Sequence, residues 1–123
     1  MYRPIHFEIP SADPEGAIKF YSGLFGWKFQ SWGGGPMEYW LVDTGDASQP
    51  GIHGGLMKRV HPEQPCVNTI DVPDLEAAVE KAVQLGGTVA LPKMPVPGVG
   101  WLAYVQDPDG NLLGLMQPDP AAK

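Results

Sequence analysis

Ile5-His6-Phe7-Glu8-Ile9-Pro10-Ser11-Ala12-Asp13-Pro14-Glu15, closed by Phe20-Tyr21-Ser22-Gly23-Leu24-Phe25-Gly26-Trp27, is a stretch that the chain writes twice. Its echo runs from Cys66 to Thr88, and at one fixed spacing Asp13 falls on Asp74, Ile18 on Val79 and Gly26 on Gly87. Each copy reads as a strand, a tight turn, an amphipathic helix and a glycine stop. The chain is therefore a duplicated strand-helix module with further strands after each helix.

Ile5 to Ile9 alternates with period two, which puts His6 and Glu8 on one strand face and Phe7 and Ile9 on the other. The apolar pair belongs against the helix. His6 and Glu8 then point away from the helix layer, either to water or into a cleft, and function turns on which.

Working outward, Asp13 caps the first helix with Pro14 at its first position, and Ala17, Ile18, Tyr21 and Leu24 recur at helical spacing up to Gly26. Strands are predicted over Trp27–Trp32, Met37–Val42 and Ile52–Lys58, with a turn at Gly33–Pro36 and a loop over Asp43–Gly51. Gly54 and Gly55 weaken the last strand unless something must approach its backbone. Arg59–Pro65 is the joint between the modules. Val67–Val72 is the next strand, and Asp74 caps a helix carrying Leu75, Ala78, Val79, Ala82 and Leu85 on one face, ended by Gly86 and Gly87. A short strand over Thr88–Leu91 precedes a proline-rich loop, Pro92–Gly100, long enough to fold over a cleft mouth. Asp107-Pro108-Asp109-Gly110-Asn111 marks a hairpin between Trp101–Gln106 and Leu112–Gln117. Residues 1–58 thus form the first module, 59–65 the linker, 66–117 the second module and 118–123 a tail, all within one domain.

At 123 residues the chain can bury a core but not two independent ones. A net charge of −6 and a pI near 4.8 argue against a nucleic-acid partner, which draws affinity from phosphate neutralisation by Lys and Arg. The one cysteine forbids an internal disulfide, and no signal-like or membrane-spanning run occurs in the sequence. These features predict a soluble cytoplasmic protein with no membrane partner. Sixteen Gly and fourteen Pro suit a turn-rich sheet protein rather than a helical bundle.

His-Phe-Glu-Ile, Asp-Pro, Phe-Tyr and Leu-Phe-Gly-Trp, followed by Gly-Gly-Leu-Met, Asp-Val-Pro-Asp-Leu, Leu-Gly-Gly and Asp-Pro-Asp-Gly-Asn, resemble in order the vicinal oxygen chelate superfamily. That group holds glyoxalase I, bleomycin-resistance proteins and extradiol dioxygenases, and the resemblance covers Ile5 to Gln117. It implies an α+β fold of two tandem βαβββ modules forming a curled mixed sheet around a cleft, often in a homodimer. It also implies a divalent metal (Fe, Mn, Ni or Zn) that grips neighbouring oxygens of a small-molecule ligand. The glyoxalase I ligand positions fall on His6, at or beside Gly55, on Val67 and on Gly114. Glycine and valine cannot ligate through a side chain, so a standard glyoxalase I site is not expected, and the extradiol pattern of two His and one Glu is weakened likewise.

A different set stays open. His6 and Glu8, with Cα atoms roughly 6.5–7 Å apart at that spacing, share a face, and His53 joins them if its strand lies beside the first. Two imidazoles and one carboxylate would suit Fe(II), Mn(II) or Zn(II). Alternatively Glu8 stays unligated and acts as a general base. Against these stand ordinary readings: Glu8 as a solvated carboxylate, His53 as a surface residue, His61 as solvated, and Trp27 and Trp32 as structural. Trp40 and Trp101 are candidate ligand walls, and Met57 and Met116, each in Gly-Leu-Met, candidate pocket lining, with core packing as the alternative for all four. Cys66 has no basic neighbour to activate it. The expected function is a metal-assisted lyase or isomerase acting next to a carbonyl, with a non-standard metal site. The alternatives are a metal-independent binding or sequestering protein of bleomycin-resistance type, or an interaction module without a cleft.

Overall fold

The computed structural model describes residues 1–32 and 38–123. The turn expected at Gly33–Pro36 and the start of the strand expected at Met37 lie outside the described residues. The elements run β1 (Pro4–Ser11), α1 (Pro14–Phe25), β2 (Lys28–Ser31), β3 (Tyr39–Asp43), β4 (His53–Lys58), β5 (Val67–Asp71), α2 (Leu75–Gln84), β6 (Thr88–Val96), β7 (Gly100–Gln106) and β8 (Leu112–Pro118). This is the expected α+β pattern, βαβββ written twice. The chain divides into two compact units, His6–Cys66 and Val67–Lys123, the latter joined by Met1–Ile5.

In the His6–Cys66 unit the strand order is β2-β3-β4-β1, with β1 and β4 parallel and the other pairs antiparallel. Asp13 accepts a hydrogen bond from Gly16 N at 3.2 Å, Pro14 starts α1, and Gly26 ends it in the left-handed region at φ 74°. These are the chemical reasons the helix begins and stops where it does. Phe7 meets Trp27 at 5.6 Å, and Trp27 is packed further by Tyr21 at 5.4 Å and Phe25 at 4.9 Å. The helix therefore covers the Phe7 face of β1, and the His6–Glu8 face is the opposite one. Gly54 lies on the helix side, where an added β-carbon would strike the Phe7 ring. Leu56 and Val42 are buried beside it, at 0 % and 2 % exposure.

In the other unit the order is β5-β8-β7-β6, again with one parallel pair, β5 with β8. Val72, Leu75, Ala103, Val105 and Leu115 form its core, with Ala78, Val79, Ala82 and Trp101 packed against it. Asp74 accepts from Ala77 N at 3.2 Å, and the Gln117 carboxamide accepts from Leu75 N at 2.8 Å, so two orphan donors of α2 are satisfied. The hairpin turn forms as expected: Asp107 Oδ1 accepts from the backbone N–H groups of Asp109 and Asn111 at 2.8 and 2.9 Å. One expectation is corrected. Pro92–Gly100 is not a loop over a cleft mouth, because β6 continues to Val96 and pairs with β7 through register shifts after Val89 and Leu91. Proline lacks an N–H, and an edge strand is where a missing donor is tolerated.

Candidate active site

The His6–Cys66 unit assembles a polar cluster on the sheet face away from α1. Parallel register sets His6 against His53 and Glu8 against Gly55, while antiparallel register sets Leu41 against Gly55 and Tyr39 against Met57. Paired residues share a face, so His6, Glu8, His53, Gly55, Met57, Tyr39 and Leu41 all belong to this one. His6 Nε2 lies 2.9 Å from the Tyr39 hydroxyl, which donates to Glu8 Oε2 at 3.1 Å. With the phenolic hydrogen given to Glu8, the Tyr39 oxygen remains to accept, so the imidazole carries a hydrogen on Nε2. The result is a directed chain, His6 to Tyr39 to Glu8.

Gly55 makes that chain possible. A β-carbon there would overlap the Tyr39 hydroxyl and ring, so only glycine leaves the notch in which the phenol lies. Burial pushes the His6 imidazole below its ordinary value; the nearby Glu8 carboxylate opposes that and His53 adds to it. A neutral imidazole at pH 7 follows, consistent with the hydrogen-bond direction.

Not all the expected site residues come together. His53 turns its Nδ1 to Thr44 N at 3.1 Å and lies 3.6 Å from Asp43 Oδ1, with its side chain 55 % exposed. It borders a polar cavity of about 290 Å³ in the β3–β4 loop, with Thr44, Asp46 and Gln49 among the lining residues. Met57 is buried on the site face at 6 % exposure. Trp40 pairs with Leu56, which places it on the helix side of the sheet rather than beside His6. In the other unit, Trp101 packs against the α2 core, donates its indole N–H to Asp119 Oδ2 at 3.0 Å and carries Lys93 Nζ 4.7 Å from its ring centroid. Met116 pairs with Asp71 and Leu102, on the face away from that core.

The donors do not fit a divalent ion held by His6, Glu8 and His53. Among the described residues no group of three His, Cys, Asp or Glu side chains is placed to hold a metal. The position between His6 and Glu8 belongs to a phenol, and His53 is bound to its own loop. One residue of this cluster is not singled out by the sequence, and a second is read there only as structural. Tyr39 is the first; Trp32 is the second, its ring set edge-on to Tyr39 at 5.8 Å. The available signal was the glycine at 55, but only the β3–β4 register reveals which side chain fills its gap.

Comparisons with known proteins agree with this architecture. The sequence pattern described as "Glyoxalase/Bleomycin resistance protein/Dioxygenase superfamily" matches residues 3–115. A Mycobacterium tuberculosis protein named "Putative glyoxylase CFP32" is 32 % identical over 124 aligned positions, covering 93 % of this chain and 45 % of that protein. The chain thus spans less than half the length of this curated relative. Among solved structures, hypothetical protein BH1468 from Bacillus halodurans superimposes with a TM-score of 0.72 at 14 % identity, over 98 % of this chain and 97 % of that one. Methylmalonyl-CoA epimerase from Mycobacterium tuberculosis superimposes with a TM-score of 0.68 at 16 % identity, over 95 % and 88 %. No helix among the described residues is long and apolar enough to cross a membrane. The fold, the order of motifs and the match over residues 3–115 together make this chain a member of the glyoxalase/bleomycin resistance protein/dioxygenase superfamily.

Proposed function

We propose that the protein is a small-molecule enzyme that moves a proton next to a carbonyl, as a lyase or isomerase does, with Glu8 as the base. One observation carries this reading: His6 and Glu8 share a sheet face and are tied through the Tyr39 hydroxyl, a carboxylate joined by hydrogen bonds to a part-buried neutral imidazole. A positioned carboxylate beside hydrogen-bond donors is the minimum equipment for taking a proton from an activated carbon. The family's glyoxylase-named relative and its epimerase fold neighbour support a reaction of this type. The test is solvent deuterium exchange at the carbon next to the carbonyl, followed by proton NMR over a panel of thioesters, 2-oxo aldehyde thiol adducts and 2-hydroxy ketones. Exchange that disappears in Glu8→Gln is the expected result; no exchange with any of them would sink the reading.

The second reading, metal-independent sequestration of a flat ligand, is favoured by the Trp32 ring beside Tyr39 and by Leu41, 42 % exposed on the same face. Ligand-dependent quenching of tryptophan fluorescence that survives EDTA, without turnover, would select it.

A further inference from the structure

We propose that Tyr39, lodged over Gly55, is the oxyanion donor of this site and takes the place that a Lewis-acidic ion would hold. This rests on the proton-transfer reading above and assigns its electrophilic half. Three observations carry it. The Tyr39 hydroxyl bridges His6 Nε2 and Glu8 Oε2 at 2.9 and 3.1 Å, filling the space between the two expected metal donors. Gly55, at or beside a position where the family resemblance places a metal ligand, has no side chain, and the phenol occupies the space its β-carbon would take. The imidazole N–H behind the phenol oxygen makes it a better donor, because hydrogen bonds in a chain polarise one another.

The step balances without a further reactant. Glu8 takes the proton: the substrate C–H bond breaks, an O–H bond forms on the carboxyl, and the electron pair moves onto the carbonyl oxygen. Tyr39 turns its hydroxyl hydrogen from Glu8 to that oxygen while His6 continues to donate to the phenol. The carboxylate is thereby released to act as base at the moment the enolate needs its donor. The proton then returns from Glu8 to the carbon it left, with exchange, or, for an enediolate, to the neighbouring carbon, with isomerisation. The ligand class is a small carbonyl compound with an acidic neighbouring hydrogen.

Nitronates test the assignment, because their negative oxygens mimic an enolate. Binding of ethyl nitronate and propionate-3-nitronate to the full chain is measured by calorimetry and tryptophan fluorescence in EDTA. Binding in EDTA that weakens at least tenfold in Tyr39→Phe is the expected result. Gly55→Ala, which keeps the phenol but moves it, should weaken binding similarly and answers the question if Tyr39→Phe fails to fold. Glu8→Gln should retain nitronate binding while losing deuterium exchange, which separates the two assignments. Tyr39-dependent nitronate binding without exchange on any substrate supports the donor and overturns only the enzymatic reading. Binding that is equal in Tyr39→Phe, that needs added Zn(II), Mn(II) or Ni(II), or that is absent from the parent protein overturns the proposal.

Discussion

The Tyr39 phenol lies in the space that a β-carbon on Gly55 would fill, so the two residues form one feature drawn from adjacent antiparallel strands. Gly54, next in sequence, plays the same part on the other face for the Phe7 ring. The two sites differ in how far the displaced ring can yield. Phe7 packs at a tilt against Trp27 under α1, whereas the Tyr39 atom nearest the added carbon is the hydroxyl, the far end of its side chain, with the ring edge behind it. Gly54→Ala should therefore destabilise by about 1–3 kcal/mol, the range for overpacking, and Gly55→Ala by less. Urea denaturation midpoints in parallel check the order, and a larger loss for Gly55→Ala would mean that Tyr39 is held as rigidly as Phe7.

His6 predicts a pH dependence with a definite sign. Its imidazole is pushed down in the folded protein, chiefly by burial, while the unfolded chain titrates near an ordinary value of about 6.5. The unfolded state therefore binds more protons between the two values, and stability rises with pH across that window. The contribution of neutral His6 is complete above the unfolded value and is lost as pH falls through the lowered folded one. Urea midpoints from pH 8 to pH 5 should fall more steeply for the parent than for His6→Asn, and a parallel fall would remove His6 as the cause.

Much of this fold is legible in the residues because local chemistry and tertiary packing agree. Asp13 with Pro14, Asp74, Gly26 and the Asp107–Asn111 turn each carry their own hydrogen-bond reason to start or stop an element. The β6 extension is hidden because Pro92 and Pro95 read as breakers, and only an edge position makes them harmless. The site is half legible for a related reason. Alternation separates His6 and Glu8 from Phe7, and equally Tyr39 from Trp40, but it does not say which parity of β3 faces His6. That is fixed by pairing with β4, which turns Tyr39 inward to the site and Trp40 to the helix side.

Gln117 reaches from β8 to the N-terminus of α2, where its side-chain oxygen accepts from Leu75 N at 2.8 Å. Leu75 is fully buried, so water cannot easily replace that acceptor. Gln117→Ala should destabilise by about 1–2 kcal/mol, the scale of a lost cap or an unsatisfied donor. Asp74→Ala removes the neighbouring cap to Ala77 N and should destabilise by about 1 kcal/mol. Because both satisfy the same helix end, the double variant should depart from additivity, as a double-mutant cycle in urea would read.

Trp101 separates a ligand wall from a core residue. It packs against the cluster of Val72, Leu75, Ala103, Val105 and Leu115, and its indole N–H is held by Asp119. A side chain in that setting is stabilising in the free protein, so Trp101→Ala should destabilise by about 2–4 kcal/mol, somewhat under the range for fully buried Trp because the residue is only partly buried. Trp101→Phe keeps most of the apolar contact and loses the hydrogen bond, so a smaller loss of about 1–2 kcal/mol is expected. Ligand binding on the Tyr39 face should be nearly unchanged in Trp101→Phe. A Trp101→Ala variant as stable as the parent but defective in binding would reverse the assignment and restore Trp101 as a ligand contact.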